Sequence, residues 1–288
     1  MNLISILLGL AMEYFLGPLD RYRNYTWVDT YLSWLEPKCQ RIPAWDGPVG
    51  VLVTMAIPIM GLLVLSSLLA HISIVLPYAL GLLVFVYCLG PNIDTLLSHY
   101  IQALEGNIAE DIAVIEGQLN LKSDPHKFHG DQIITAVLAR AHDALFAVVF
   151  WFIVLGMSGA LLYTLTLLLL TRTAGSRSGY AIAVEELHNI LIWPTTRLLA
   201  TGFALSGSLV DTLEAWRKVE GDTFNCSRQV MQNSGLGALQ YEETQQEDEE
   251  EAKSRYLQWI REAQALINRT LVVWLTALGF MTLGNVLS

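Results

Sequence analysis

Charge is scarce in this 288-residue chain: 15% of its residues are Asp, Glu, Lys or Arg and 53% are hydrophobic. Soluble domains carry about 25% charged residues, so an ordinary water-covered surface is excluded over much of the molecule. Positive charge is scarcer still, 17 Lys and Arg against 27 Asp and Glu for a net charge of -10, and no polybasic cluster stands out. Nucleic-acid binding needs a basic face to displace phosphate counterions and is excluded on that ground. Cysteine is limited to Cys39, Cys88 and Cys226, too widely separated for a disulfide framework or a clustered zinc site. There is no glycine-rich phosphate loop, no GxGxxG after a strand, no nucleophile elbow and no HExxH. The opening MNLISILLGLAMEYF lacks a basic n-region and a small-residue cleavage site, so it reads as a retained helix and not as a removed signal peptide.

What the chain has is apolar length. Asp143 to Thr171 contains no ionisable residue after its first position and is apolar on every side of a helix. It exceeds the roughly 20 residues that cross a bilayer core and reads as the surest membrane-spanning helix. Val49–Ala70 and Ile72–Leu89 are two further apolar runs meeting near His71, so they predict a transmembrane hairpin that Pro58 and Pro77 kink without ending. Met1–Leu16, which stops at Gly17-Pro18, and Thr270–Leu287 predict the first and last spans. Tyr180–Leu209 is a helical region of lower apolarity, packed in the bundle interior or entering the membrane only in part. Between the first two spans, Tyr25, Trp27, Tyr31 and Trp34 interleave with Arg23 and Lys38. That mixture suits the headgroup region and predicts a short interfacial helix near Thr26–Leu35.

Pro91–Ala141 changes character. Ile93, Leu97, Tyr100, Leu104, Ile108, Ile112, Ile115 and Leu119 recur at helical spacing, with Glu105, Glu110, Asp111 and Glu116 at other positions. This predicts one amphipathic helix outside the bilayer. A break over Asn120–Asp131 precedes a second such helix, which leads straight into the long span. Glu242–Glu251 is an acidic run expected to be solvated, and Ala252–Ile267 regains a helical stripe. The expected fold is therefore an all-α, polytopic helical membrane bundle of about five to six spans plus cytoplasmic amphipathic helices. It is a single integral membrane domain over 1–288, with an amphipathic insertion at 91–142 and an acidic flexible linker at 236–255. Lys and Arg in the loops favour an outside N-terminus. Arg23, Lys38, Arg140, Arg217, Arg228 and Arg261 then fall inside and Arg172 and Arg177 outside, provided Tyr180–Leu209 crosses fully; if it does not, the C-terminal part moves to the other side.

Ionisable residues in or beside apolar runs are costly to bury alone, which singles out Glu13, Asp143 and Arg197 as groups that pair within the bundle. Glu185, Glu186 and His188 stand before a membrane segment and have the types needed for acid–base chemistry, although a helix entrance is also an ordinary place for charge. Asp124, His126, His129 and Asp131 are ligand-type residues in one loop, but no second pair accompanies them and no metal site is assigned. The apolar stripe through Leu97, Leu104, Ile108 and Ile112, with Ala252–Ile267, is the candidate surface for a cytoplasmic partner. Packing on the bundle's own face is the competing use. No cofactor is readable from the residues.

Ala147–Tyr163 (AVVFWFIVLGMSGALLY) resembles the APLFW-containing span of the CobD/CbiB family of cobalamin-pathway membrane proteins, and most closely its AmpE branch. Trp193, Pro194, Arg197 and Leu198 are similar to the family's W-P-x-R-L segment, with a changed spacing, and Ala215-Trp216 followed by Gly221-Asp222 is similar to a short AmpE stretch after it. The synthases of the family join an aminopropanol group to cobyric acid. Asp143 matches an Asp of their span, but Ala139 and Arg140 stand where a Glu-Asn pair would be, and Leu167 and Leu170 where a later Asn and Asp would be. Leucines at the latter two positions do not bind phosphate or move protons. The resemblance therefore implies an AmpE-like regulatory protein of the bacterial inner membrane, linked to peptidoglycan recycling and β-lactamase induction. Its partners would be the bilayer and a cytoplasmic signalling protein or cell-wall recycling intermediate. The competing implication is an enzyme of the cobinamide synthase type.

Overall fold

The computed structural model describes residues 2–16, 23–39, 45–119, 121, 129–219, 221, 224–242 and 249–287. Among them the chain is helical, with no strand. In order the helices are α1 (Asn2–Leu16), α2 (Thr26–Cys39), α3 (Pro48–Ile72), α4 (Leu76–Cys88), α5 (Ile93–Glu105), α6 (Ala109–Gln118) and α7 (Gly130–Ala141). A π-helical turn, His142–Phe146, leads into α8 (Ala147–Leu155), α9 (Met157–Arg172) and α10 (Gly179–Ser206). Then come α11 (Leu209–Arg217), a short 3-10 turn (Phe224–Cys226), α12 (Ser227–Ala238) and α13 (Glu249–Leu287). Four helical stretches, 48–72, 76–105, 130–155 and 250–282, are long and apolar enough to cross a membrane. By packing, the described chain divides into two compact units, 1–90 with 147–192 and 91–146 with 193–288.

In the first unit α3 and α4 form the expected hairpin, joined through Ser73–Val75, with His71 in the last turn of α3. Pro58 lies inside α3 as expected. Pro77 does not kink a helix interior: it occupies the first turn of α4, where a missing N–H costs nothing because that donor has no intrahelical acceptor. α3 turns large apolar side chains outward, Met60 at 57% and Leu68 at 59% exposure, a contiguous face that water does not favour and a lipid chain does. The interior is built from Val28 and Leu32 of α2, Val51 and Met55 of α3, Leu165 and Leu169 of α9, and Ala183 and Val184 of α10.

The long apolar run is not one helix. Gly156, at φ +67° and ψ -151°, ends α8 in a backbone region that only glycine occupies without strain, and α9 starts at the next residue. A Cβ on Gly159 would fall 2.3 Å from the Trp151 carbonyl oxygen, so the start of α9 lies directly against α8. Phe152 of α8 meets Phe85, with ring centroids 4.6 Å apart, and the Thr164 hydroxyl of α9 donates to the Cys88 carbonyl at 3.4 Å. A straight helix would carry residue 164 about 18 Å beyond residue 152, so meeting the same last turn of α4 twice requires the chain to double back.

This fold-back changes the arrangement of charge. Arg172 ion-pairs with Asp29 of α2, and the Tyr180 N–H donates to Asp46 Oδ1 at 2.8 Å. The loop after the apolar run therefore lies at the same end of the unit as α2, where the charge count from sequence had placed it on the opposite side.

In the second unit the predicted amphipathic helix over 93–119 is interrupted. Gly106 caps α5, Asn107 takes the left-handed conformation at φ 51°, and α6 begins two residues later. Asn92 opens α5 by accepting from the N–H groups of Asp94 and Thr95, at 2.9 and 3.3 Å. Leu97 and Tyr100 of α5, Ile133, Val137 and Leu138 of α7, Phe203 of α10, Met231 of α12 and Ile260 of α13 form one core. Glu250 and Glu251, expected in the acidic linker, lie in the first turn of α13, where negative charge is favoured by the helix dipole. Residues 243–248 of that linker lie outside the described residues. The stripe over 252–267 and the last span, read separately from sequence, are one uninterrupted helix.

Candidate functional site

The polar centre of the second unit begins with a local irregularity. The π turn at His142–Phe146 lies between two α-helical stretches, and such turns recur where a helix must re-aim side chains for a purpose. His142 is 2% exposed. Its Nδ1 lies 2.8 Å from Asp143 Oδ1 and its Nε2 lies 2.7 Å from Thr195 Oγ1. Toward an ionised Asp143, Nδ1 donates its hydrogen, and the neutral ring then accepts the Thr195 hydroxyl hydrogen at Nε2. The order Asp, His, Thr has the form of a nucleophile relay, but Thr195 is fully buried, so the relay ends inside the helix packing with no open space for a substrate at the hydroxyl.

The other oxygen of Asp143 faces outward. Asp143 Oδ2 is 3.5 Å from Arg228 Nη2, and both residues line a cavity of about 420 Å³. Its walls follow from helical spacing. Gln132, Ala136, Ala139, Arg140 and Asp143 recur at three or four residues along α7 and the π turn, and Arg228 and Gln232 are four apart on α12. Gln118, at the end of α6, completes the polar lining. The Nε atom of Arg140 is buried with no hydrogen-bond partner among the described residues. The cavity thus presents two guanidinium groups, one carboxylate and three primary amides, an assortment suited to holding a polar, negatively charged molecule.

Behind it, Arg197 of α10 lies over the Trp193 ring, 4.5 Å from the centroid, and donates to Ser227 Oγ at 3.1 Å. Arg197 also donates to the Trp193 carbonyl at 3.2 Å. The cation is thereby held by a ring face, a hydroxyl and a carbonyl.

The residues singled out by sequence separate into groups. Asp143 belongs to the polar centre and Arg197 to its supporting shell. Glu13 is in α1, and its side chain lies outside the described residues. Glu185, Glu186 and His188 do not converge. The two carboxylates are exposed, while His188 is buried in the first unit beside Tyr163, with ring centroids 6.4 Å apart. Leu97 and Leu104 are core residues at 0% and 5% exposure, and Ile112 packs against that core, so of the four candidate partner residues only Ile108 is openly exposed. Of the loop ligands, Asp124 and His126 lie outside the described residues, and no group of three or more His, Cys, Asp or Glu among the described residues could hold a metal.

Arg140, Thr195 and Arg228 were not candidates from sequence. Arg140 and Asp143, three apart on one helix, carried a legible signal of a shared polar face. Thr195 reaches His142 from 53 positions away, and Arg228 reaches Asp143 from 85 positions after it, only by tertiary packing.

Among the described residues the protein is helical throughout its regular structure, with four helical stretches long and apolar enough to cross a membrane and a basic, amide-lined cavity in the second unit. No protein-family model, curated protein or solved structure matches the chain.

Proposed function

We propose that this is a multi-pass regulatory protein of the bacterial inner membrane, similar to AmpE, that links peptidoglycan recycling to β-lactamase induction. The observation that carries the reading is the meeting of two resemblance segments. Asp143, at the head of the AVVFW run, and Thr195, within the W-P-T-T-R-L stretch, share His142 as a hydrogen-bond partner. Arg197 of the same stretch stacks on its Trp193. The two resemblance stretches thus meet at one polar centre. A regulator needs a ligand or partner that binds two states differently, and the cavity against this centre is where such a molecule would act. The molecule sensed would be a cell-wall recycling intermediate, with a cytoplasmic signalling protein as the downstream partner.

The proposed five to six crossings are 48–72, 76–105, 130–155 and 250–282 by length and apolarity, the return leg through α9 that the Arg172–Asp29 pair requires, and α1 as a further span, with α10 packed in the bundle interior. The fold-back at Gly156 supports an arrangement in which Arg23, Lys38, Arg172 and Arg177 share the cytoplasmic side, with the charge-free Ser73–Val75 turn opposite, as the positive-inside rule favours.

The decisive experiment is β-lactamase induction by a β-lactam in a strain lacking only this gene. Loss or a large change of induction, restored by the gene in trans, is the expected result. Unchanged induction removes the regulatory reading and directs the purified protein to an assay for cobinamide formation.

A further inference from the structure

The cavity beside Asp143 has features that its hydrogen-bond network does not use. Among its described lining residues Asp143 is the sole acid, and Arg228 already sits 3.5 Å from it. The Arg140 charge is left over, in the wall of a chain whose overall charge is -10. A guanidinium has five N–H donors and no acceptor, and the buried Nε of Arg140 meets no acceptor among the described residues. Arg140 also lines the open cavity, where its terminal N–H groups can meet an acceptor brought from outside. Gln118, Gln132 and Gln232 add neutral amides that both donate and accept, the groups that recognise hydroxyls and amides. At about 420 Å³ the space lies within the roughly 300–1,000 Å³ of small-molecule sites, larger than a lone phosphate needs.

We infer that this cavity binds a small polar molecule through a phosphate or carboxylate group held by Arg140, with Arg228 as the second cation and the three glutamines reading its neutral part. Arg140 binds the ligand directly. Asp143 holds Arg228 in place and, from its other oxygen, is itself held by His142. The same oxyanion chemistry occurs in a free phosphorylated or acidic metabolite and in an anionic lipid headgroup. The inference stands on the cavity and not on the regulatory reading, so binding and induction are scored separately.

The test uses full-length protein in phospholipid-free detergent, titrated with inorganic phosphate at constant ionic strength. In parallel, the protein is reconstituted with vesicles of phosphatidylcholine alone or with added phosphatidylglycerol. A saturable rise in melting temperature with phosphate or with phosphatidylglycerol is expected, and Arg140→Gln should weaken it at least tenfold in apparent affinity. Arg261→Gln, which removes an exposed arginine paired to Glu105 at 3.0 Å, should leave it unchanged. Arg140→Lys keeps the charge and should retain binding, which covers the case in which Arg140→Gln does not fold. A response to phosphate identifies a soluble ligand, and a response to phosphatidylglycerol alone identifies a headgroup; either supports the site. No saturable response to either probe, or one that Arg140→Gln and Arg140→Lys leave equal to that of the wild type, overturns it.

Discussion

The imidazole of His142 bridges Asp143, its neighbour in sequence, and Thr195 on another helix, and the 2.7 Å contact from His142 Nε2 to Thr195 Oγ1 is buried from end to end. Replacing Thr195 by Val keeps the shape and removes the hydroxyl. His142 Nε2 then loses that partner in the interior, which costs about 1–3 kcal/mol. Thermal or denaturant melting of the solubilised protein should show the loss, and Thr195→Ser should recover most of it. Equal stability of the Val and Ser variants would remove the hydrogen bond from the account.

Gly156 sets the fold-back of the apolar run. Its φ of +67° with ψ of -151° lies where a Cβ is strained, so Gly156→Ala should destabilise by about 1–3 kcal/mol. A Cβ at Gly81 of α4 meets nothing within 4 Å, so Gly81→Ala should show no such loss. Gly159→Val should be worse than either, because the side chain would be driven into the Trp151 carbonyl.

Asp211 supplies a pH dependence. The Ser208 hydroxyl and the Gln240 amide, the latter at 2.6 Å, donate to its Oδ2 and hold its carboxyl below the ordinary value of 3.8. The lowered value means that the folded state favours the ionised form. The contribution is therefore complete above pH 3.8 and is lost as the pH falls through the lowered value. Asp211→Asn should flatten this part of the acid limb of a stability–pH curve and leave the neutral region with its original slope.

The proposed orientation makes a labelling prediction. In a cysteine-free background, single cysteines at Ser33 and Ser176 should be protected from a membrane-impermeant thiol reagent applied outside intact spheroplasts, and one at Ser73 should react. Reaction at Ser176 with protection at Ser33 would restore the opposite-side arrangement that the charge count first gave.

How much of this was legible beforehand differs by element. The α3–α4 hairpin, the short helix α2 and the amphipathic stripe of α5 follow from apolar length and period, which act locally and survive without a partner. The run after Asp143 misled because its apolarity is uniform: a continuous hydrophobic helix and two helices folded back on each other have the same composition. Gly156 and Gly159 were visible, but glycine inside an apolar helix is common enough that neither marked the turn. Leu97 and Leu104 were equally ambiguous, since an apolar stripe looks the same whether it will meet a foreign partner or α7 and α13 of its own chain.

The sequence by itself determined an all-helical protein with several helices able to cross a membrane, because hydropathy and helical period are properties of neighbouring residues. Tertiary structure alone decided that Asp143, Thr195 and Arg228 meet, that Arg140 faces a cavity, and that Arg172 returns to Asp29. Each of these is a contact between residues far apart in the chain. Which distant charges and hydroxyls come together is set by how whole helices pack, and no local pattern records it.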